Sequence, residues 1–240
     1  MLSKSQIKLI TSLKQKKYRQ DLGFFVVEGV KTIKELLASN LELHALYTTE
    51  SFNIDAKDEV LISETDLKRI SFLKTPNTAL AVFKIPEQTP VETKGLIVAL
   101  DDVRDPGNLG TIIRLCDWFG IKQLVCSKAT VDCFNPKVIQ ATMGSITRVN
   151  ISYVDLETFL KDTDLPVFGA FMDGENVYKK QLPQHGVLVM GGNEANGVSK
   201  AVEALITEKI SIPRFGDLQA TESLNVATAT SILISEFRRG

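Results

Sequence analysis

Three short segments of this 240-residue chain hold the residues whose types and spacing could do chemistry. In the first, residues 96–120 (LIVALDDVRDPGNLGTIIRLCDWFG), an apolar strand runs into acids, then a Pro-Gly turn, then a helix. Gly107 and Gly110 permit close backbone approach, and Asn108 can cap the helix. Arg114 follows about 1.7 helical turns later, on a roughly opposing face, so Asn108 must act from the loop to share a site with it. The second segment, residues 187–200 (VLVMGGNEANGVSK), takes four apolar residues into Gly191-Gly192 and then Asn193-Glu194. A strand ending in a glycine pair bares backbone N–H and C=O groups, which suits a flat heterocycle or an amino-acid tail. The third, residues 210–239, stops a strand at Pro213, crosses a polar loop and opens a helix at Glu222-Ser223-Leu224-Asn225. Ser223 and Asn225 fall at or near that helix N-terminus, to cap it or to point into a cleft; capping is the ordinary role of such a serine.

Other chemistries find no residues to carry them. The glycines are not spaced as G-x-G-x-x-G or as a P-loop, which argues against a dinucleotide oxidoreductase. His44 and His185 are the only histidines, too few for a histidine-built metal site, and neither adjoins a nucleophile motif. Cys116, Cys126 and Cys133 are an odd set without a C-x-x-C pair, which fits reduced cytosolic thiols better than disulfides or zinc. The neighbouring carboxylates Asp101 and Asp102 suit many roles and do not mark a glycosidase.

The elements that must position these segments follow from periodicity. Strands are expected at Leu96–Leu100, Gln123–Cys126, Asn150–Tyr153, Val167–Phe171, Val187–Met190 and Lys209–Ile212. Helices are expected at Leu109–Phe119, Pro136–Gly144, Leu156–Lys161, Lys200–Leu205 and Ser223–Arg239. Such alternation predicts an α/β fold with a mostly parallel sheet covered on both faces, and ligands at the C-terminal ends of the strands. Ahead of it, IPEQTPVETKG (residues 85–95) has a linker composition and divides the chain into domains at 1–88 and 96–240. The first domain reads as a small α/β unit. A helix over Ser3–Lys16 carries Ile7, Ile10 and Leu13 on one face. A buried strand, Phe24–Val27, precedes a helix at Val30–Leu37. Short strands at His44–Thr48 and Val60–Ser63, a helix opened by Ser63 and a strand at Ala79–Lys84 complete it.

Hydrophobic residues at 44% and charged residues at 24% describe a globular chain with a real core. No apolar run is long enough for a spanning helix, and the first twenty residues lack the apolar stretch of a secretory signal, so a cytoplasmic location is expected. The net charge of −1 hides an asymmetry: residues 1–20 hold six basic side chains and no acid. Lys14, Lys16, Lys17 and Arg19 belong to this block, which serves either as a solvated helix face or as the footprint of a polyanion partner.

Taken together, the three segments resemble the three ordered motifs of the SpoU/TrmH family of RNA ribose 2′-O-methyltransferases, in the SPOUT superfamily. The first motif matches through Asp105-Pro106-Gly107-Asn108-Leu109-Gly110-Thr111-Ile112-Ile113-Arg114. The second matches through Gly192-Asn193-Glu194, with Asn196-Gly197 just after. The third matches through Ile212-Pro213 and Ser223-Leu224-Asn225-Val226. The stretch VDCFNPKVIQATMG (residues 131–144) is similar as well. LKQKKYRQDLGFFVVEG (residues 13–29) looks like the ribosomal-protein-L30e-like substrate-binding domain that many members carry. Two departures are visible: the loop between Ile212 and Ser223 is a few residues longer than is usual, and Arg214 stands where methionine is typical.

The resemblance implies a SPOUT domain with a deep trefoil knot, and a homodimer binding S-adenosylmethionine without a metal. It implies methylation of a ribose 2′-hydroxyl in RNA, ribosomal RNA ahead of transfer RNA. The other readings are base methylation and a non-catalytic RNA-binding or ribosome-assembly protein on the same fold. By motif, Gly192, Ile212 and Leu224 would hold the cofactor through backbone groups. Arg114, Asn108, Glu194, Ser223 and Asn225 would be the functional polar residues. Guanidinium is effectively always protonated, so Arg114 suits a phosphate clamp better than a base. Glu194 would accept a hydrogen bond or a proton, or only brace the knot. Lys14, Lys16, Lys17 and Arg19 would hold RNA.

Overall fold

A computed structural model of the chain describes residues 2–55, 57–192, 197–216 and 223–239. In chain order the helices and strands are α1 (Lys4–Ser12), α2 (Lys16–Leu22), β1 (Phe24–Glu28), α3 (Val30–Leu37), β2 (Leu43–Thr48), β3 (Glu59–Leu61), α4 (Glu64–Ile70) and β4 (Ala79–Lys84). They continue with β5 (Leu96–Asp101), α5 (Pro106–Trp118), β6 (Gln123–Ser127), α6 (Pro136–Thr142), β7 (Asn150–Val154), α7 (Leu156–Asp162) and β8 (Val167–Asn176). The last are β9 (Gly186–Gly191), α8 (Lys200–Glu203), β10 (Glu208–Ser211) and α9 (Val226–Arg238). The chain forms two compact units, residues 1–87 with 132–147, and residues 88–131 with 148–240.

In the first unit a four-stranded sheet runs in the order β1-β4-β2-β3, with β4 antiparallel to both β1 and β2 and β3 parallel to β2. The apolar run Phe24–Val27 is explained by burial on both faces. Val26 packs with Ile10, Leu13, Leu67 and Ile70. Phe25 and Val27 pack on the opposite face with Ile33, Leu36 and Ile139. Ile139 comes from α6, and the Phe134 ring lies tilted by 43° against Phe25 with centroids 4.8 Å apart. Residues 132–147 therefore pack with the first unit, whereas the sequence assigns them to the domain at 96–240. The physical reason is the apolar face of β1, which α6 covers.

The helix expected over Ser3–Lys16 ends early, and a second helix, not expected from the sequence, follows it. A capping box between Ser3 and Gln6 starts α1. The helix stops at Ser12, and α2 begins at Lys16. The side chain of Arg19 reaches back into the break: its Nη1 donates to the carbonyls of Leu13 and Lys14 at 2.8 and 3.0 Å.

In the second unit all six strands are parallel, in the order β10-β8-β9-β5-β6-β7. This is the α/β parallel architecture expected from the alternating pattern. The chain builds outward from β5 through β6 to β7, then crosses to β8 and inserts β9 between β8 and β5. The strand order thus reverses between β5 and β9, and a crevice for ligand lies at the C-terminal ends of strands flanking such a switch point. Ile97, Ala99, Val125, Val187 and Val189 fill the sheet centre, which is why these strands read as unbroken apolar runs. Helix α5 packs against α9. Among the described residues no helix is long and apolar enough to cross a membrane.

Candidate active site

The first and second sequence segments meet at the switch point. β5 and β9 pair in register to their ends, Leu100 with Met190 and Asp101 with Gly191. The N–H of Gly192 then donates to the Asp101 carbonyl at 2.8 Å. A Cβ on Gly192 would lie 2.3 Å from Val103 Cα, and one on Gly191 would lie 2.4 Å from the backbone of Gly197 and Val198. Only glycine lets these segments touch backbone to backbone. Asp101 is buried, and its Oδ2 accepts the Ser199 N–H at 2.8 Å, tying the far side of the second segment to the end of β5.

The loop after β5 is held from several sides. Asp102 takes a left-handed conformation, φ 56°, sparsely populated outside glycine. Its N–H donates to Ser127 Oγ at 3.0 Å, and its carboxylate accepts from Arg104 Nε at 2.7 Å. Thr130, fully buried, donates to the Leu100 carbonyl at 3.3 Å, and the Val131 N–H donates to the Val103 carbonyl at 2.9 Å. Asp101, Ser127 and Thr130 were not singled out from the sequence as site residues. Their signal was the position of small polar groups at the ends of apolar parallel strands.

Asp105, not Asn108, caps α5, its Oδ1 accepting the Asn108 N–H at 2.8 Å. Pro106 occupies the first turn, where its missing N–H costs nothing. Asn108 therefore lies within the first helical turn, with its side chain free to act elsewhere. It accepts a hydrogen bond at Oδ1 from Asn225 Nδ2, 3.0 Å away. Asn225 also caps α9, its Oδ1 accepting from the N–H groups of Ala227 at 2.9 Å and Thr228 at 3.3 Å. Two backbone donors fix which end of the Asn225 amide is oxygen, so its NH2 must face Asn108. The NH2 of Asn108 has no partner among the described residues. The helix expected from Ser223 starts at Val226, because Asn225 takes the capping role. Ser223 and Leu224 precede it with exposed side chains.

Arg114 is exposed on α5 and makes no hydrogen bond or ion pair among the described residues. Six residues put it about 9 Å further along the axis than Asn108 and turned away from the contact with Asn225. Ile212 is half-buried just past β10. Glu194 lies outside the described residues. Cys116, on α5, is buried, and desolvation, with the Asp117 charge second, pushes its thiol up to about 12, so it is no nucleophile at neutral pH. No group of three or more His, Cys, Asp or Glu side chains among the described residues is arranged to hold a metal.

Of the basic residues assigned to RNA, Lys14, Lys16 and Lys17 are exposed. Arg19 is not on that surface: it is 1% exposed. Its Nε and Nη2 both bond Asp132 Oδ2, at 2.9 and 2.5 Å, while Asp132 Oδ1 accepts the Phe134 N–H at 3.0 Å. The expectation that Arg19 contacts RNA is corrected: a buried guanidinium needs its carboxylate partner and is spent on structure.

A parallel doubly wound sheet whose switch point gathers a glycine pair and an asparagine pair defines a class of ligand-binding α/β enzymes. Residues 95–235 match the SpoU rRNA Methylase family, and the chain belongs to it. Residues 4–81 match the MRM3-like substrate binding domain. The 23S rRNA (guanosine(2553)-2′-O)-methyltransferase RlmP of Bacillus subtilis (strain 168) is 30% identical over 237 residues, 94% of this chain and 93% of that protein. A TrmH-family structure from Porphyromonas gingivalis superposes with a TM-score of 0.90 at 39% identity, over 100% of this chain and 99% of that chain. The AdoMet-bound rRNA methyltransferase from Sinorhizobium meliloti gives 0.87 at 28% identity, over 100% and 97%.

Proposed function

We propose that this protein transfers a methyl group from S-adenosylmethionine to a ribose 2′-hydroxyl of ribosomal RNA. The observation that carries the reading is the Asn225–Asn108 hydrogen bond beside the switch point, which joins the first and third family motifs. The residues fit an adenosyl cofactor held by backbone groups: Gly192 follows β9, Ile212 follows β10 and Leu224 precedes α9. S-adenosylmethionine supplies a methyl already activated on a sulfonium.

What remains for the chain is to bind, align and handle charge, and alignment alone is a large contribution to such a displacement. Arg114 clamps an RNA phosphate through its planar fork of donors. Asn108 orients the ribose with the NH2 that Asn225 leaves available, and Ser223 and Asn225 order the third loop. The 2′-hydroxyl proton released on transfer passes to Glu194 or to solvent; Glu194 otherwise accepts a hydrogen bond or braces the second loop. Lys14, Lys16 and Lys17 hold RNA phosphates on the first unit, largely without sequence preference. The contacts of Gly191 and Gly192 with other backbone segments support a trefoil knot in this region. The exposed side chains of Thr111 and Trp118 on α5 support a homodimer. Three buried free cysteines support work in a reducing cytoplasm.

The test uses purified protein, labelled S-adenosylmethionine and unmodified ribosomal RNA, followed by alkaline hydrolysis. A methylated 2′-oxygen cannot attack the adjacent phosphate, so label in alkali-resistant dinucleotides supports the proposal. Label in mononucleotides only means base methylation. Cofactor binding with no label in any ribosomal RNA overturns the choice of substrate.

A further inference from the structure

We infer that Tyr178 and Phe215 form a stacking platform for an unpaired base of the RNA substrate, next to the target nucleotide. The inference rests on the ribose-methyltransferase reading above and extends it to how the RNA is held. The two rings stack with centroids 6.4 Å apart and an interplanar angle of 30°. Phe215 is nonetheless 83% exposed and Tyr178 38% exposed. Neither ring is there by accident of a loose loop. Tyr178 lies in the 3₁₀ turn Val177–Lys179, capped by Asn176, whose Oδ1 accepts the Tyr178 N–H at 3.0 Å. That turn is pinned by Val177, which is fully buried. Phe215 follows β10, which is locked to β8 where Ser211 Oγ donates to the Gly174 carbonyl at 2.8 Å.

Position and charge choose the occupant. Phe215 comes three residues after Ile212, so the platform stands within about 10 Å of a residue assigned to the cofactor. A nucleotide flanking the reacting ribose falls within that reach. A cation adjoins each ring in the chain. Lys179 is exposed and has no ion pair among the described residues. Arg214 is exposed beside Phe215, its Nη2 on Met172 Sδ at 3.2 Å. Among the described residues Lys180 pairs with both Glu175 and Glu208, and Lys209 pairs with Glu203. Aromatic faces with flanking cations are the means by which proteins hold unstacked bases and their phosphates.

The experiment compares wild type with Phe215→Ala, Phe215→Leu, Phe215→Tyr and Tyr178→Ala, using unmodified 23S rRNA transcribed in vitro. Stacking predicts that both alanine variants raise KM for the RNA roughly 5- to 100-fold. Phe215→Leu should be as impaired as Phe215→Ala, Phe215→Tyr should restore the wild-type value, and cofactor affinity by calorimetry should not move. Phe215→Leu at wild-type KM overturns the platform, since it keeps apolar bulk without a π face. So does an alanine variant whose RNA KM is unchanged, or one that loses RNA affinity only because sedimentation shows its assembly has changed. Wild-type protein that leaves no alkali-resistant label fails the functional reading itself, a result distinct from variants that match an active wild type.

Discussion

Asn225 Nδ2 donates to Asn108 Oδ1 across 3.0 Å, closing a contact between residues 117 positions apart and joining the first turns of α5 and α9. One amide thus does two jobs, because Asn225 Oδ1 caps α9 at the same time. Substitutions can separate them. Asn225→Asp keeps the capping oxygen but forces the Asn108 amide to turn its NH2 inward, removing the donor assigned to the ribose. It should leave thermal stability near wild type while lowering kcat at least tenfold. Asn225→Ala should lose kcat and also about 1 kcal/mol of stability. Thermal unfolding and single-turnover transfer, measured side by side, check both; an Asn225→Asp enzyme of full activity refutes the role given to Asn108.

Arg114 has no structural partner among the described residues, so its removal should cost activity and little else. Arg114→Ala is expected to abolish methyl transfer with cofactor affinity unchanged and stability within about 0.5 kcal/mol of wild type. Arg114→Lys should recover only part of the activity, because a point charge replaces a bidentate fork. Near-normal turnover of Arg114→Ala would exclude the phosphate clamp.

The basic residues of the first unit divide into two classes with opposite phenotypes. Reversal of Lys14, Lys16 and Lys17 to Glu should weaken RNA binding and reduce its salt dependence by about one unit of slope per lost phosphate contact. Stability should hold. Arg19→Ala should instead destabilise by about 3 kcal/mol, since it strands the Asp132 carboxylate and unties two carbonyls. Filter binding at several salt concentrations and urea unfolding distinguish them.

Glu28 is buried, and desolvation raises its carboxyl above the usual range despite hydrogen bonds from the Ser71 hydroxyl and the Phe72 N–H. A folded-state pKa above the unfolded value means the folded state binds the proton more tightly. The stability it contributes is present below the ordinary carboxyl value of 4.5 and is lost as pH rises through the folded value. Glu28→Gln should therefore gain stability relative to wild type across that interval and level off above it. Urea unfolding of both proteins from pH 4 to pH 8 reads the difference; a constant difference at every pH contradicts it.

Trp118 is the sole tryptophan and is 85% exposed in the single chain. A homodimer formed through the outer face of α5 would bury it. Its emission should then move to shorter wavelength between nanomolar and micromolar protein, in step with dimer formation by sedimentation. A dimer with unmoved emission places the interface elsewhere.

The alternation of apolar runs with helical faces was enough to name an α/β fold with a parallel sheet, because strands buried on both faces announce themselves as unbroken Val, Ile and Leu. Motif order and spacing were enough to name the family. The sequence also marked Asn108, Gly192 and Asn225, since glycine pairs and asparagines at strand-to-helix turns are local signals. Local signals ended there. Which polar residue caps a helix was a contest among neighbours: Asp105 and Asn225 took the roles open to Asn108 and Ser223 because their oxygens meet the first free N–H groups.

Only the tertiary structure decided that β9 lies between β8 and β5, bringing Gly192 onto the Asp101 carbonyl, for strand order depends on crossovers that leave no periodic trace. The same holds for Arg19, one of six basic side chains in the first twenty residues and indistinguishable by type from its exposed neighbours. Its partner Asp132 is 113 residues away, and only folding places a buried carboxylate where that guanidinium must go. Residue type and spacing carry what is local, and charge burial and strand order are properties of the assembled chain.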